Sequence, residues 1–316
     1  MRWDDFRRSD NIDDRRDGGG GDDGGGGGFG LPIGGGGLGI GTIVILTLVG
    51  WAVGIDPRTL IDVASNFDRP AMEQTQQRAP SRNPGNARPG TPTDEMGNFV
   101  AAVVGEIDDR WKEIFTEQNA RYVGARVVLF RGQTNAEQCG RAQAAMGPFY
   151  CPPKGQTKGQ IFLDTAFFDE IEKRHRGCSG KACKFTQAYI IAHEAGHHVQ
   201  NQFGILSRAK QIQASARSKA DANRVQVRVE LQADCFAGVW ANREKQKRDF
   251  LEAGDVDAAL QTAAAIGDDT LQRQSQGRVV PDAFAHGSAE QRKRWFLTGY
   301  NSGKVADCNT FASQQL

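Results

Sequence analysis

The feature that most constrains this 316-residue chain is the run Ile190-Ile-Ala-His193-Glu194-Ala-Gly-His197-His198-Val-Gln200, set among apolar residues at helical spacing. On an α-helix, positions i and i+4 differ by about 40° around the axis, so His193 and His197 point their imidazoles the same way, one turn apart. Two neutral imidazole nitrogens so placed form a zinc-ligand pair, and the rest of the fold must bring a further donor to that face. Glu194, turned about 100° from His193, flanks the face without replacing a ligand and stands in the general-base position. The chain has five histidines in all, so two at this spacing around a glutamate are hard to assign to chance. His198 points about 100° away from His197 and reads as packing or surface.

The third ligand is a matter of elimination. A Gly at position 200 and a His at position 203 would extend the motif on its own strand of sequence, but Gln200 and Phe203 stand there. The alternative is a carboxylate from a later helix. Val229-Glu230-Leu-Gln-Ala233-Asp234-Cys-Phe236 places Glu230 and Asp234 on one face, and Val225, Val229, Phe236 and Trp240 make that helix apolar enough to be buried. Buried carboxylates need partners. One of the pair as ligand and the other as acceptor of a ligand imidazole N–H satisfies both, and the residues alone allow either order.

The remainder of the sequence divides by composition. Sixteen of the 39 glycines fall between Gly18 and Gly41, and the Arg/Asp run before them buries little apolar area, so residues 1–37 are expected to be a disordered tail. Leu38 to Ile55 is uncharged over 18 residues, about the minimum for a roughly 30 Å hydrocarbon core, and predicts a single transmembrane helix at 38–55. Residues 56–94 hold six of the 11 prolines and read as a linker, with the folded domain at 95–316. All six cysteines follow the uncharged run, which suits an oxidising compartment and places the domain in a periplasm-like space, with Cys178–Cys183 the most local pairing. Lys plus Arg (39) nearly cancels Asp plus Glu (38), so the chain lacks the basic field of a general nucleic-acid binder, and 24% charged residues exclude a polytopic membrane protein.

Within 95–316, Phe99, Val103, Ile107, Trp111 and Ile114 recur at helical spacing, while Arg126–Phe130 and Gln160–Asp164 are short β-type runs. Helices are expected at 167–173, at 186–202 and over roughly 207–247. The strand 160–164 is a candidate edge for pairing with an extended peptide. The stretch Ala263 to Gly277 has no evident role.

His193-Glu194-x-x-His197 with Glu230-x-x-Ala233-Asp234, together with Arg2-Trp3, Ser9-Asp10-Asn11, Met146-Gly-Pro-Phe-Tyr-Cys151 and Gly267-Asp-Asp, resembles the bacterial family called putative neutral zinc metallopeptidases. The likeness covers most of the chain. Its active-site pattern is also similar to that of gluzincins of the CAAX-prenyl-protease class, in which the ligand glutamate precedes an aspartate by four residues. That implies Glu230 as third zinc ligand and Asp234 behind it. The same class carries a His-Pro-Ser-x-x-x-Arg element, and Ala285-His286-Gly287-Ser288-Ala-Glu-Gln-Arg292 keeps its His, Ser and Arg with Gly in place of Pro. By that likeness His286 donates to an oxyanion and Arg292 orients Glu230 or Asp234.

The resemblance implies an α+β fold: a mainly helical, zincin-like domain with a small sheet, hydrolysing peptide bonds in protein or peptide substrates with Zn2+ and Glu194 as general base. Two other readings stand beside it: a zinc-stabilised, membrane-tethered binding or chaperone-like module, and a zinc amidase acting on cell-wall peptides.

Overall fold

The two β-type runs form strands over the residues expected, β2 (Arg126–Phe130) and β6 (Gln160–Asp164), paired in parallel with Val127 opposite Ile161 and Leu129 opposite Leu163. The computed structural model describes residues 1–16, 92–136, 139–143, 147–155, 158–174, 181–265, 267–270, 272 and 278–316. A strand apolar on both faces belongs inside a sheet covered on both sides. Val127, Leu129, Ile161 and Leu163 face the helices, while Val128, Phe130 and Phe162 join a smaller cluster with Ala136, Ala142 and Cys151. The sheet order is β1-β2-β6-β5, with β1 (Ile12–Asp14) parallel to β2 and β5 (Phe149–Cys151) antiparallel to β6. A two-stranded ribbon, β3 (Gln133–Asn135) with β4 (Arg141–Gln143), covers the smaller cluster, and Cys139–Cys151 ties it to β5.

β6 is flanked on both sides, by β2 and β5, so the expectation that it offers a free edge is corrected. Among the described strands the sheet ends at β5.

The principal helices among the described residues are α1 (Glu95–Glu117), α2 (Thr165–Arg174), α3 (Lys181–Gln202), α4 (Ile205–Ala214), α5 (Lys219–Lys247), α6 (Asp255–Ala265) and α7 (Ala289–Ser302). With the small mixed sheet this is a mainly helical α+β domain. The five apolar positions of the first expected helix are all buried along α1, where Trp111 packs edge-on against Phe236 of α5. The single helix expected over 207–247 is instead α4 and α5. Ser218 ends the gap between them by accepting from the Asp221 N–H, a side-chain cap that starts a new helix.

The largest correction concerns the start of the chain. Residues 1–16, expected as part of a disordered tail over 1–37, are folded onto the domain. Met1, Phe6 and Ile12 are buried, and several charges of the segment pair with residues of the domain at its surface. Asp13, fully buried in β1, pairs with Arg15 and Arg126, and Arg7 forks onto Asp109 of α1. Too few apolar residues at no regular spacing hid this segment from a periodicity reading. Residues 17–91, with the expected span 38–55 and most of the linker, lie outside the described residues. Among the described helices none is long and apolar enough to cross a membrane. Cys183 is disulfide-bonded, and Cys178 of the expected pair lies outside the described residues.

Beneath the N-terminal segment, Glu106 of α1 accepts from the Arg7 backbone N–H and stands beside Glu244 of α5. Burial, then the neighbouring Glu106, pushes the Glu244 carboxyl up to about 7 against the pull of Arg110 and Arg248. The folded state therefore holds this proton more tightly than the unfolded chain, and stability falls as pH rises from about 4.5 through about 7. Glu244→Gln should flatten that decline in urea-melt midpoints taken across the window. In the same assay, Phe6→Ala should cost about 3–5 kcal/mol, whereas a free tail would give no change.

Candidate metal centre

α3 carries His193 and His197 on one face, and what brings α5 to that face is a close contact of small residues. A Cβ added at Gly196 would lie 3.0 Å from the Ala233 carbonyl oxygen and 3.1 Å from its Cα. Helices that touch backbone to backbone let short side chains converge. His193 Nε2 stands 3.3 Å from Glu230 Oε2, and His197 Nε2 stands 3.4 Å from the same oxygen. The three donor atoms lie within 4.8 Å of one another, with the two ring planes at 86°. Glu194 is buried beside them.

Each imidazole is held by its other nitrogen. His193 Nδ1 lies 2.8 Å from Asp234 Oδ1, and His197 Nδ1 lies 2.9 Å from Gln200 Oε1. The Gln200 amide has its orientation fixed, because its Nε2 donates to Val229 O (2.7 Å) and to Gln232 Oε1 (3.0 Å). Its Oε1 can only accept, so His197 carries a proton on Nδ1. Asp234 makes the same demand of His193. Both Nε2 lone pairs then face the Glu230 carboxylate. Two lone pairs and a carboxylate oxygen aimed at one point need a cation between them.

The electrostatics agree. Burial pulls the His193 imidazole down, but Asp234 and Glu230 outweigh it and lift the ring to about 10. His197 is also raised, by Glu230 against burial. Burial favours the neutral acid at Glu230, yet the two imidazoles hold its carboxyl well below the ordinary range. The cluster draws in positive charge, and two imidazoles with one carboxylate are a donor set that zinc fits.

Asp234 is itself anchored. Arg292 of α7 grips it with Nε on Oδ2 and a terminal nitrogen on Oδ1, both at 2.9 Å, and Tyr189 donates to Oδ1 at 2.5 Å. Burial opposes the Asp234 charge, but Arg292 and His193 hold its carboxyl far below the usual range. α7 reaches this depth through another glycine contact, since a Cβ at Gly299 would lie 1.9 Å from the Cys235 carbonyl oxygen. Of the two partners expected for Arg292, the structure brings it to Asp234.

His286 sits in the loop before α7, half exposed, with Nδ1 3.2 Å from Asp268 Oδ1. Asp268 Oδ2 accepts from the backbone N–H groups of Ala285, His286 and Gly287. This gives a role to part of the stretch 263–277 that had none. Gly287 adopts φ +93, which proline, locked near −65°, cannot reach. His286 is close enough to Glu230 for each to shift the other's proton affinity. His198 packs between Tyr150 of β5 and the Val123 carbonyl, as expected of a residue off the ligand face.

Three supporting residues escaped the sequence reading. Gln200 lies three positions after His197, the spacing of neighbours on a helix, and Tyr189 lies four before His193, so both had a local signal. Gln226, which donates to Glu230 Oε1 at 2.7 Å, lies a turn before its partner. Gln200→Ala should weaken zinc binding about 10–100-fold in competition with a chromogenic chelator. Gly196→Val should lower zinc affinity further by forcing α3 and α5 apart.

Comparison with known proteins adds the following. The family described as "Putative neutral zinc metallopeptidase" matches residues 1–311. The chain is similar to the uncharacterized protein YpfJ of Escherichia coli K12, 42% identical over 311 residues that cover 98% of this chain and 99% of the relative. It is also similar to the uncharacterized protein Rv2575 of Mycobacterium tuberculosis H37Rv, 38% identical over 226 residues, 69% of this chain and 71% of that one. No solved structure shows a significant match.

Proposed function

The chain belongs to the putative neutral zinc metallopeptidase family, and we propose that it hydrolyses peptide bonds at the centre formed by His193, His197 and Glu230. The single observation that carries this reading is the convergence of both Nε2 atoms on Glu230 Oε2 at 3.3 and 3.4 Å, with a buried carboxyl, Glu194, on the flank. A zinc site that serves structure alone has no use for that additional carboxyl and is ordinarily closed by Cys or His. Zinc bound by the three residues supplies Lewis acidity, lowering the pKa of an attacking water toward about 7 and polarising the scissile carbonyl.

The protein's own groups do the rest. Glu194 takes the proton of the attacking water and passes it to the leaving amine. Burial raises its carboxyl pKa against the pull of His197 and His193, which suits a group that must hold that proton between the two steps. His286, whose Nδ1 lies against Asp268 and whose proton affinity that carboxylate raises, can as the imidazolium donate from Nε2 toward charge developing on the substrate oxygen. Asp234, gripped by Arg292, keeps His193 in the tautomer that binds metal, and Gln200 does the same for His197.

The substrate class is an extended peptide. β5 ends the described sheet, and its Tyr150 hydroxyl lies 3.1 Å from Nδ1 of His198 on α3, so the edge at which a peptide strand could add lies against the helix that carries the two histidines. Work in an oxidising compartment is supported by Cys139–Cys151, Cys235–Cys308 and the bonded Cys183.

Glu194→Gln in the full chain should retain bound zinc by elemental analysis and lose about 10²–10⁴-fold in cleavage of an unfolded protein substrate. Cleavage by that variant at the parent rate would refute the general-base role.

A further inference from the structure

The described residues that flank 17–91 in the sequence, Arg16 on one side and Pro92 to Asp94 on the other, stand side by side on the folded domain. On the Arg16 side, β1 lies parallel to β2 with Ile12, Asp13 and Asp14 opposite Val127, Val128 and Leu129. The Val127 N–H donates to Asn11 O, and the Arg15 N–H donates to Leu129 O, both at 2.8 Å. Upstream, Ser9 N–H donates to Ala101 O of α1 at 2.9 Å, and Arg2 N–H donates to Phe250 O at 2.8 Å. The Met1 amino group lies 2.8 Å from both Glu252 and Asp255. The segment is therefore tied to the sheet, to α1 and to the turn after α5, not to one element.

On the other side, Asp94 caps α1 by accepting from the Gly97 N–H at 3.0 Å. Arg16 donates through one terminal nitrogen to Asp94 Oδ1 at 2.9 Å and through the other to Oδ2. Burial and the cap hydrogen bond aside, it is Arg16 that chiefly holds the Asp94 carboxyl down, to about 2. A Cβ at Gly97 would strike both Pro92 and the Arg16 guanidinium, so the two flanks stand side by side.

We infer that residues 1–16 and 92–316 lie on the same side of any membrane the chain meets. One crossing between them would place the two on opposite sides of roughly 30 Å of hydrocarbon. A β-ladder and an ion pair act over about 3 Å. A single-pass arrangement would need β1 stripped from β2, with Met1, Phe6 and Ile12 exposed and the buried Asp13 carboxylate parted from Arg126. The N-terminal segment accordingly shares the compartment of the disulfides. This inference stands on the packing of residues 1–16 and is independent of the peptidase reading.

The test uses two variants of the full chain, Asp4→Cys and Gln314→Cys, both at exposed positions. Among the described residues no native cysteine is free, and the parent chain labelled in parallel gives the background against which the added thiol is read. Sealed right-side-out and inside-out membrane vesicles are treated with a membrane-impermeant maleimide before and after lysis. The two thiols should give the same pattern in each preparation, both labelled or both protected until lysis. Labelling of one with protection of the other in the same vesicles would overturn the inference. Asp10→Cys, also exposed, reports on the N-terminal side should Asp4→Cys fail to accumulate, and the same two outcomes decide.

Discussion

The structure depends on a lone carboxylate oxygen of Glu230 facing two imidazole nitrogens across the junction of α3 and α5. Three polar groups so close, His193 and Glu230 among them buried, are costly unless positive charge sits between them, since burial penalises the carboxylate and lone pairs repel it. The surrounding residues are arranged to make that cation welcome. Asp234 and Gln200 fix the tautomers, Gln226 engages the other Glu230 oxygen, and Gly196 against Ala233 sets the separation of the helices. Deleting any one loosens a constraint on where the donors point, which explains why support extends so far from the three donors.

The second layer explains the helical architecture. Asp234 is fully buried, and an isolated charge at such depth would neutralise or unfold its surroundings. Arg292 and Tyr189 prevent this by giving the carboxylate fork hydrogen bonds on both oxygens. Arg292 can reach it because α7 lies backbone-close to α5, with Gly238 under Phe296 and Gly299 under Cys235. The Cys235–Cys308 disulfide fastens the C-terminal segment to the same helix, and Gln232, which braces Gln200, donates to the Cys308 carbonyl at 2.9 Å. The chain end is thereby part of what orients His197.

How much of this was legible in sequence follows from how local each interaction is. His193, Glu194 and His197 share one helical turn, so spacing alone gives their geometry. Glu230 with Asp234 was readable as a pair because two acids one turn apart on an apolar helix must be buried together, although their order came from family likeness, as did Arg292. β2, β6 and α1 were visible through runs and periodicity that one face of one element imposes. The N-terminal segment was not, because its meaning is entirely long-range: Phe6 packs against Phe250, Asp13 needs Arg126, and Arg16 needs Asp94. Asp268 was illegible for the same reason, since its partners are backbone N–H groups about 18 residues on. The break between α4 and α5 rests on a single serine cap that helical periodicity overruns.

The most direct test of the account is X-ray absorption at the zinc edge on the full-length protein as purified. The account predicts about one zinc per chain, bound only by nitrogen and oxygen at roughly 2.0–2.2 Å, with the scattering signature of two imidazoles. It further predicts loss of that signal in Glu230→Ala. A sulfur shell near about 2.3 Å, or a spectrum unchanged in Glu230→Ala, would contradict it.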